Sequence, residues 1–205
     1  SITKSAGVIS HSRLGNIEWR IVKNLMLGSI PASFLMTYYL KGIDLYAYEN
    51  VKIINFSLGV ALVLTSFAVI LQPLISKKSR TKPARTTINT TILTVLLGLS
   101  LGVLVTLTSV GAGAMGVTAL LLLYPEMSIK KIIGTDIAHA VPLTLFAGLG
   151  HMNLGTVDTY LLLALLIGSI PGVSLGSNLS SKIDEKWLRY ILAVVLLIVG
   201  IQLIR

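Results

Sequence analysis

Cysteine is absent from this 205-residue chain, and acidic side chains are scarce, 8 Asp+Glu against 17 Lys+Arg. The missing thiols exclude disulfides, thiolate metal sites, iron–sulfur clusters and cysteine nucleophiles. Histidine is nearly as sparse, and three of them without an H-x-x-x-H pair make no ligand set. No metal and no other cofactor is therefore expected. Only 12% of the residues are charged, where an ordinary soluble domain carries about 25%. Apolar residues make up 54% of the chain and its mean hydropathy is +0.84, a balance that excludes a soluble globular enzyme. A net charge of +9 would suggest nucleic acid in a soluble protein. Here Lys77, Lys78, Arg80, Lys82 and Arg85 share one acid-free connector between apolar runs, the mark of a cytoplasmic loop, so the expected partner is a lipid bilayer and not nucleic acid. The first residues, Ser1-Ile-Thr-Lys-Ser, are neither an initiator methionine nor a signal peptide, and the chain reads as cut at its front.

What the chain has in quantity is long apolar runs, at about 22–40, 51–75, 88–110, 132–150, 156–178 and 187–204. Each approaches the roughly 20 residues that cross a bilayer as a helix. Runs such as 119–123 and 193–199 are apolar at every position, which excludes the alternating pattern of a transmembrane barrel. The fold class expected is all-α, a polytopic transmembrane helical bundle. One region fits a single crossing poorly: 88–124 is too long and is interrupted by Gly111-Ala-Gly-Ala-Met-Gly116. Glycine-rich backbone at membrane depth is tolerated where it is buried in protein or lines a cavity, so a broken helix is expected there.

Shifted by 140 positions, the chain matches itself. His11-Ser-Arg-Leu-Gly-Asn-Ile-Glu aligns with His151-Met-Asn-Leu-Gly-Thr-Val-Asp, and Gly28-Ser-Ile-Pro31 with Gly168-Ser-Ile-Pro171, giving eleven identities over 34 positions. This reads as a duplication, with the back portion of a first repeat at 1–75, a basic loop at 76–87 and a second repeat at 88–205. A Gly-rich hairpin is expected before Ser1 in a complete protein. If 76–87 is cytoplasmic, the basic residues Arg13, Arg20 and Lys23, then Lys130 and Lys131, then Lys182, Lys186 and Arg189 fall inside as well. His11 then lies near the inner side and His151 outside, so the repeats are inverted, an architecture of many secondary transporters.

Four features bear on chemistry. Gly111, Gly113 and Gly116 spell G-x-G-x-x-G with Asp136 twenty residues on, but the dinucleotide motif needs a preceding strand, and a membrane-length apolar run stands there instead. If a half-helix starts near Met115, its free N–H groups and positive pole could hold an anion; tight helix packing on small residues is the plainer reading. Gly134-Thr-Asp-Ile-Ala-His puts Asp136 and His139 on one helix face, and ionisable groups inside a span mark ion pathways or anchor a helix near the interface. Lys4, near the chain start, could attract an anion or snorkel to the interface. His11 and His151 precede Leu-Gly in equivalent turns, with Gly15 and Gly155 as left-handed caps, Asn16 or Thr156 capping the next helix, and Glu18 or Asp158 in its first turn. The Gly-Ser-Ile-Pro motifs read as close helix packing, and Trp19 and Trp187 as interfacial anchors.

Taken as a set, Gly134-Thr-Asp-Ile-Ala-His, Gly148-Leu-Gly-His151-Met-Asn-Leu-Gly-Thr-Val-Asp158 and Leu166-Ile-Gly-Ser-Ile-Pro-Gly-Val-Ser-Leu-Gly176 closely resemble the TauE/SafE family of membrane permeases, often called sulfite exporters. Ile2-Thr-Lys-Ser-Ala-Gly with His11-Ser-Arg-Leu-Gly-Asn-Ile-Glu-Trp19 is similar to the family's N-terminal half. The resemblance implies a multi-pass carrier of the prokaryotic cytoplasmic membrane, moving sulfite or an organosulfur anion with an ion gradient. The second repeat departs from it in one respect, since family members often carry a denser glycine run than Gly-Ala-Gly-Ala-Met-Gly. The expected site joins Lys4, Gly111, Gly113 and Gly116 as the cradle of a small anionic substrate to Asp136 and His139 as proton-coupling groups. A carrier of small organic acids and a non-transporting membrane subunit are the alternatives, no enzymatic activity is expected, and a homo-oligomer is left open.

Overall fold

The computed structural model describes residues 2–43, 47–79, 87–108, 113–180 and 184–205. Eight helices run in chain order, with no strand among the described residues: α1 (Ile2–Arg13), α2 (Trp19–Lys41), α3 (Tyr48–Ser79), α4 (Thr87–Thr108), α5 (Ala114–Leu123), α6 (Ile129–Asn153), α7 (Thr159–Ser180) and α8 (Glu185–Ile204). Over the described residues all six expected spans fall in helices, apart from 156–158, which precede α7. By length and composition, four described stretches can cross a membrane, at Glu49–Leu74, Asn89–Thr108, Ile129–Asn153 and Lys186–Ile204. α2 has the length, but Ser29, Ser33, Thr37, Tyr38 and Tyr39 dilute its apolar content.

Packing gives the relative directions. Ser33 on α2 meets Thr106 on α4, while a Cβ at Gly98 would strike the Leu25 carbonyl, so α2 and α4 run parallel. A Cβ at Gly134 would strike the Asn16 carbonyl and one at Gly150 would strike the Thr37 side chain, which makes α6 parallel to α2. α3 and α8 are antiparallel: Gly59 abuts Gly200 and Ile204, and Ser66 Oγ donates to the Ala193 carbonyl at 2.8 Å. The helices that the charge pattern starts on the basic side, α2, α4 and α6, thus share one direction.

Polar residues line the interior and apolar ones face outward, as expected where lipid is the solvent. Ser29, Ser33, Thr94, Thr106, Thr135 and His139 are at most 1% exposed, whereas Ile167 is 74% exposed and Tyr160 89%. Leu25, Leu120 and Ile132 close the core between α2, α5 and α6, and Leu101, Val105, Ala140 and Leu143 close it between α4 and α6.

The two turns that align in sequence have one geometry. Gly15 and Gly155 take positive φ, 66° and 69°. Gly15 N–H donates to the Ser12 carbonyl and Gly155 N–H to that of Met152, each at 3.1 Å; Asn16 and Thr156 N–H reach back to His11 and His151. The caps lie elsewhere than expected. Asp158 Oδ1, not Thr156, accepts from Tyr160 and Leu161 N–H at 2.8 and 3.0 Å. On α2 the cap position is Glu18, with no side-chain cap bond, because its carboxylate reaches Lys131 Nζ at 3.3 Å instead. Since nothing lies within 4 Å of a Cβ at Gly15, Gly15→Ala is expected to cost only the left-handed backbone penalty, about 1–2 kcal/mol, read as a small loss of melting temperature in detergent.

Candidate functional site

α6 carries the ionisable residues of the interior. It starts at the Ser128 cap, whose side chain accepts from Lys131 N–H, and its first turns are clasped by the α1–α2 turn. Lys131 pairs with Glu18, Glu18 N–H donates to Thr135 Oγ1 at 3.0 Å, and Thr135 Oγ1 donates to the Lys131 carbonyl at 2.7 Å. This polar clasp fixes the register of α6 against the α1–α2 turn.

Above the clasp, Asp136 is 2% exposed and His139 fully buried. His139 Nε2 and Ser29 Oγ share a hydrogen bond of 2.8 Å, joining α6 to α2. Three buried side-chain atoms among the described residues have no hydrogen-bond partner: His139 Nδ1, Asp136 Oδ1 and His11 Nδ1. Orphaned polar atoms at this depth each carry a desolvation cost of roughly 1–3 kcal/mol, which a functional role, a water or an ion would account for. Asp136 Oδ1 lies where a Cβ of Gly116 would be. Lys4, half-buried on α1, acts electrostatically on both Asp136 and His139.

The expected site residues therefore meet in part. Lys4, Gly116, Asp136 and His139 converge on one interior region. Gly113 is exposed at the N-terminal cap of α5, with nothing within 4 Å of a Cβ, and Gly111 lies outside the described residues. α4 is described as far as Thr108, residues 109–112 lie outside the described ones, and α5 starts at Ala114, one residue before the start expected from sequence. No metal-binding cluster of His, Asp and Glu is present among the described residues.

Further along α2 the polar interior continues. Thr106 Oγ1 donates to Ser33 Oγ at 2.8 Å, and His151 Nε2 lies 2.8 Å from the Thr106 carbonyl. A carbonyl only accepts, so His151 carries its proton on Nε2. His151 also lines a cleft of about 350 Å³ with Val105, Thr144, Gly148 and Thr156. Reading the sequence did not single out Ser33, Thr106 or Thr135. The signal for Ser29 lies in the repeated Gly-Ser-Ile-Pro, which in sequence reads as close helix packing.

The pattern of the family described as "Sulfite exporter TauE/SafE" matches residues 1–203. The chain belongs to the TauE/SafE family. Among curated relatives, the "Probable membrane transporter protein YjnA" of Bacillus subtilis (strain 168) is 38% identical over 208 residues, covering all of this chain and 81% of that protein. The "Probable membrane transporter protein YdhB" of the same organism is 24% identical over 204 residues, again covering all of this chain and 80% of the relative. No solved structure matches. With its apolar helices, this TauE/SafE chain is a membrane protein of a transporter family, which names a carrier and not an enzyme.

Proposed function

We propose that the protein is a secondary carrier of a small anion, sulfite or an organosulfur anion, coupled to an ion gradient across the prokaryotic cytoplasmic membrane. The observation that carries this reading is the convergence of Lys4, Asp136 and His139 inside an apolar bundle. Charged groups are costly at such depth and mark ion pathways or relays. Lys4 supplies attraction for an anion. Asp136 and His139 hold and release the coupling proton, and the pole of α5 near Gly113 and Gly116 approaches the anion with backbone N–H groups. The antiparallel packing of α3 on α8 and the matched turns at Gly15 and Gly155 support two oppositely oriented repeats that rock about the site.

Radiolabelled sulfite flux into proteoliposomes tests it. Uptake above protein-free vesicles that responds to an imposed pH gradient is expected. Absence of flux for sulfite and for a panel of sulfonates, from folded protein, overturns the sulfur-anion reading; flux of carboxylates alone would make it an organic acid carrier.

A further inference from the structure

The reading of α5 as an anion cradle meets an obstacle in the structure, because the Asp136 carboxyl group already stands there. α5 is a ten-residue helix whose N-terminal cap, Gly113, offers no side-chain bond. Its pole is therefore answered by no capping side chain of its own. On its third residue, Gly116, the missing side chain leaves room that Asp136 Oδ1 fills. That oxygen is buried and makes no hydrogen bond. That oxygen therefore lies against the first turn of α5 without a directed bond to it.

Resting on the small-anion reading above, we propose that Asp136 is a built-in surrogate anion: it and the transported anion compete for the N-terminal pole of α5, and protonation of Asp136 is what yields the pole to the substrate. Only the protonation state of the carboxyl needs to change. On the side where the site opens, one proton from water binds the Asp136 carboxylate, the negative charge on the pole is cancelled, and the anion takes its place. On the other side the anion leaves, the proton returns to water and the carboxylate resumes its position. One proton then accompanies each anion, without a covalent step. The titratable groups around Asp136 are Lys4 and His11 on α1 and His139 on α6 itself; Arg20 and Lys23 of α2 are exposed, and α4 and α5 carry none.

Competition of this kind has a signature that simple binding lacks: an anion that takes up no proton itself must draw one into the protein. Methanesulfonate is such a probe. Added at fixed pH to the purified full chain in weak buffer, it is expected to cause proton uptake approaching one per anion bound. In Asp136→Asn, a neutral group of the same shape, methanesulfonate is expected to bind roughly tenfold tighter, within the 5–150-fold range usual for coupled sites, and without proton uptake. Binding to the wild type with no proton uptake, binding weakened in Asp136→Asn, or no binding by either protein overturns the proposal. Should Asp136→Asn fail to fold, proton uptake by the wild type decides alone. Proton-linked methanesulfonate binding together with no flux of sulfite, sulfonates or carboxylates in vesicles would leave this inference standing as a binding property and remove the transport reading.

Discussion

Gly98→Ala is expected to remove most folded protein, with a melting temperature lowered on the order of 10 °C by a cost of about 3 kcal/mol, the upper end for overpacking a tight core. The argument is geometric. A Cβ at Gly98 would strike the Leu25 carbonyl, one at Gly28 the Val95 carbonyl, and one at Gly102 the Ser29 carbonyl. Each obstacle is backbone, which no rotamer change can move, so the helices must separate along their length. In lipid this close approach matters more than in water, because helix association there rests on van der Waals contact and not on hiding apolar surface. Separation would also pull Ser33 from Thr106, which meet one turn further on at 2.8 Å. Gly148→Ala and Gly172→Ala, where nothing lies within 4 Å of the added carbon, are the controls. Neither is expected to lower the detergent melting temperature, since alanine is the better helix former, and equal losses at all three positions would show that the close approach at Gly98 is not what holds α2 on α4.

That packing role was legible in the sequence as a class but not as a set of partners. Apolar length placed six helices within a few residues, because lipid forces a continuous hydrogen-bonded span and little else. The turns at Gly15 and Gly155 were legible because a left-handed backbone position strongly selects glycine. Their caps were misplaced by two residues: Asn16 looks like a capping residue, yet its carbonyl lies against Gly134 of α6, a tertiary contact that local pattern cannot carry. Asp136 and His139 stood out because charge is rare in a span. The surroundings of Asp136 did not, since only the fold brings Gly116 onto its carboxylate. The glycine motif therefore has a steric reason, room for an acid from another helix, beside its conformational one.

Ser29 shows how far a repeated motif can mislead when its two copies meet different neighbours. Gly-Ser-Ile-Pro occurs at 28–31 and at 168–171, and both copies lie inside helices, α2 and α7. Ser169 bonds the Leu166 carbonyl of its own helix at 3.1 Å, the default for a hydroxyl in an apolar helix. Ser29 instead spends its hydroxyl on His139 Nε2 at 2.8 Å, from a position with no exposure. Ser29→Ala is therefore expected to leave both ring nitrogens of a buried histidine without a partner, costing about 1–3 kcal/mol, and to free the imidazole to turn about its side-chain bonds. If His139 takes part in proton coupling, sulfite flux should fall roughly tenfold and lose its response to the pH gradient, whereas Ser29→Thr, which keeps the hydroxyl, should restore part of both. Ser169→Ala should change neither flux nor melting temperature. A Ser29→Ala protein that melts lower but transports with an unchanged pH response would confine Ser29 to holding α2 on α6, and would remove His139 from the proton path while leaving Asp136 as its only acid.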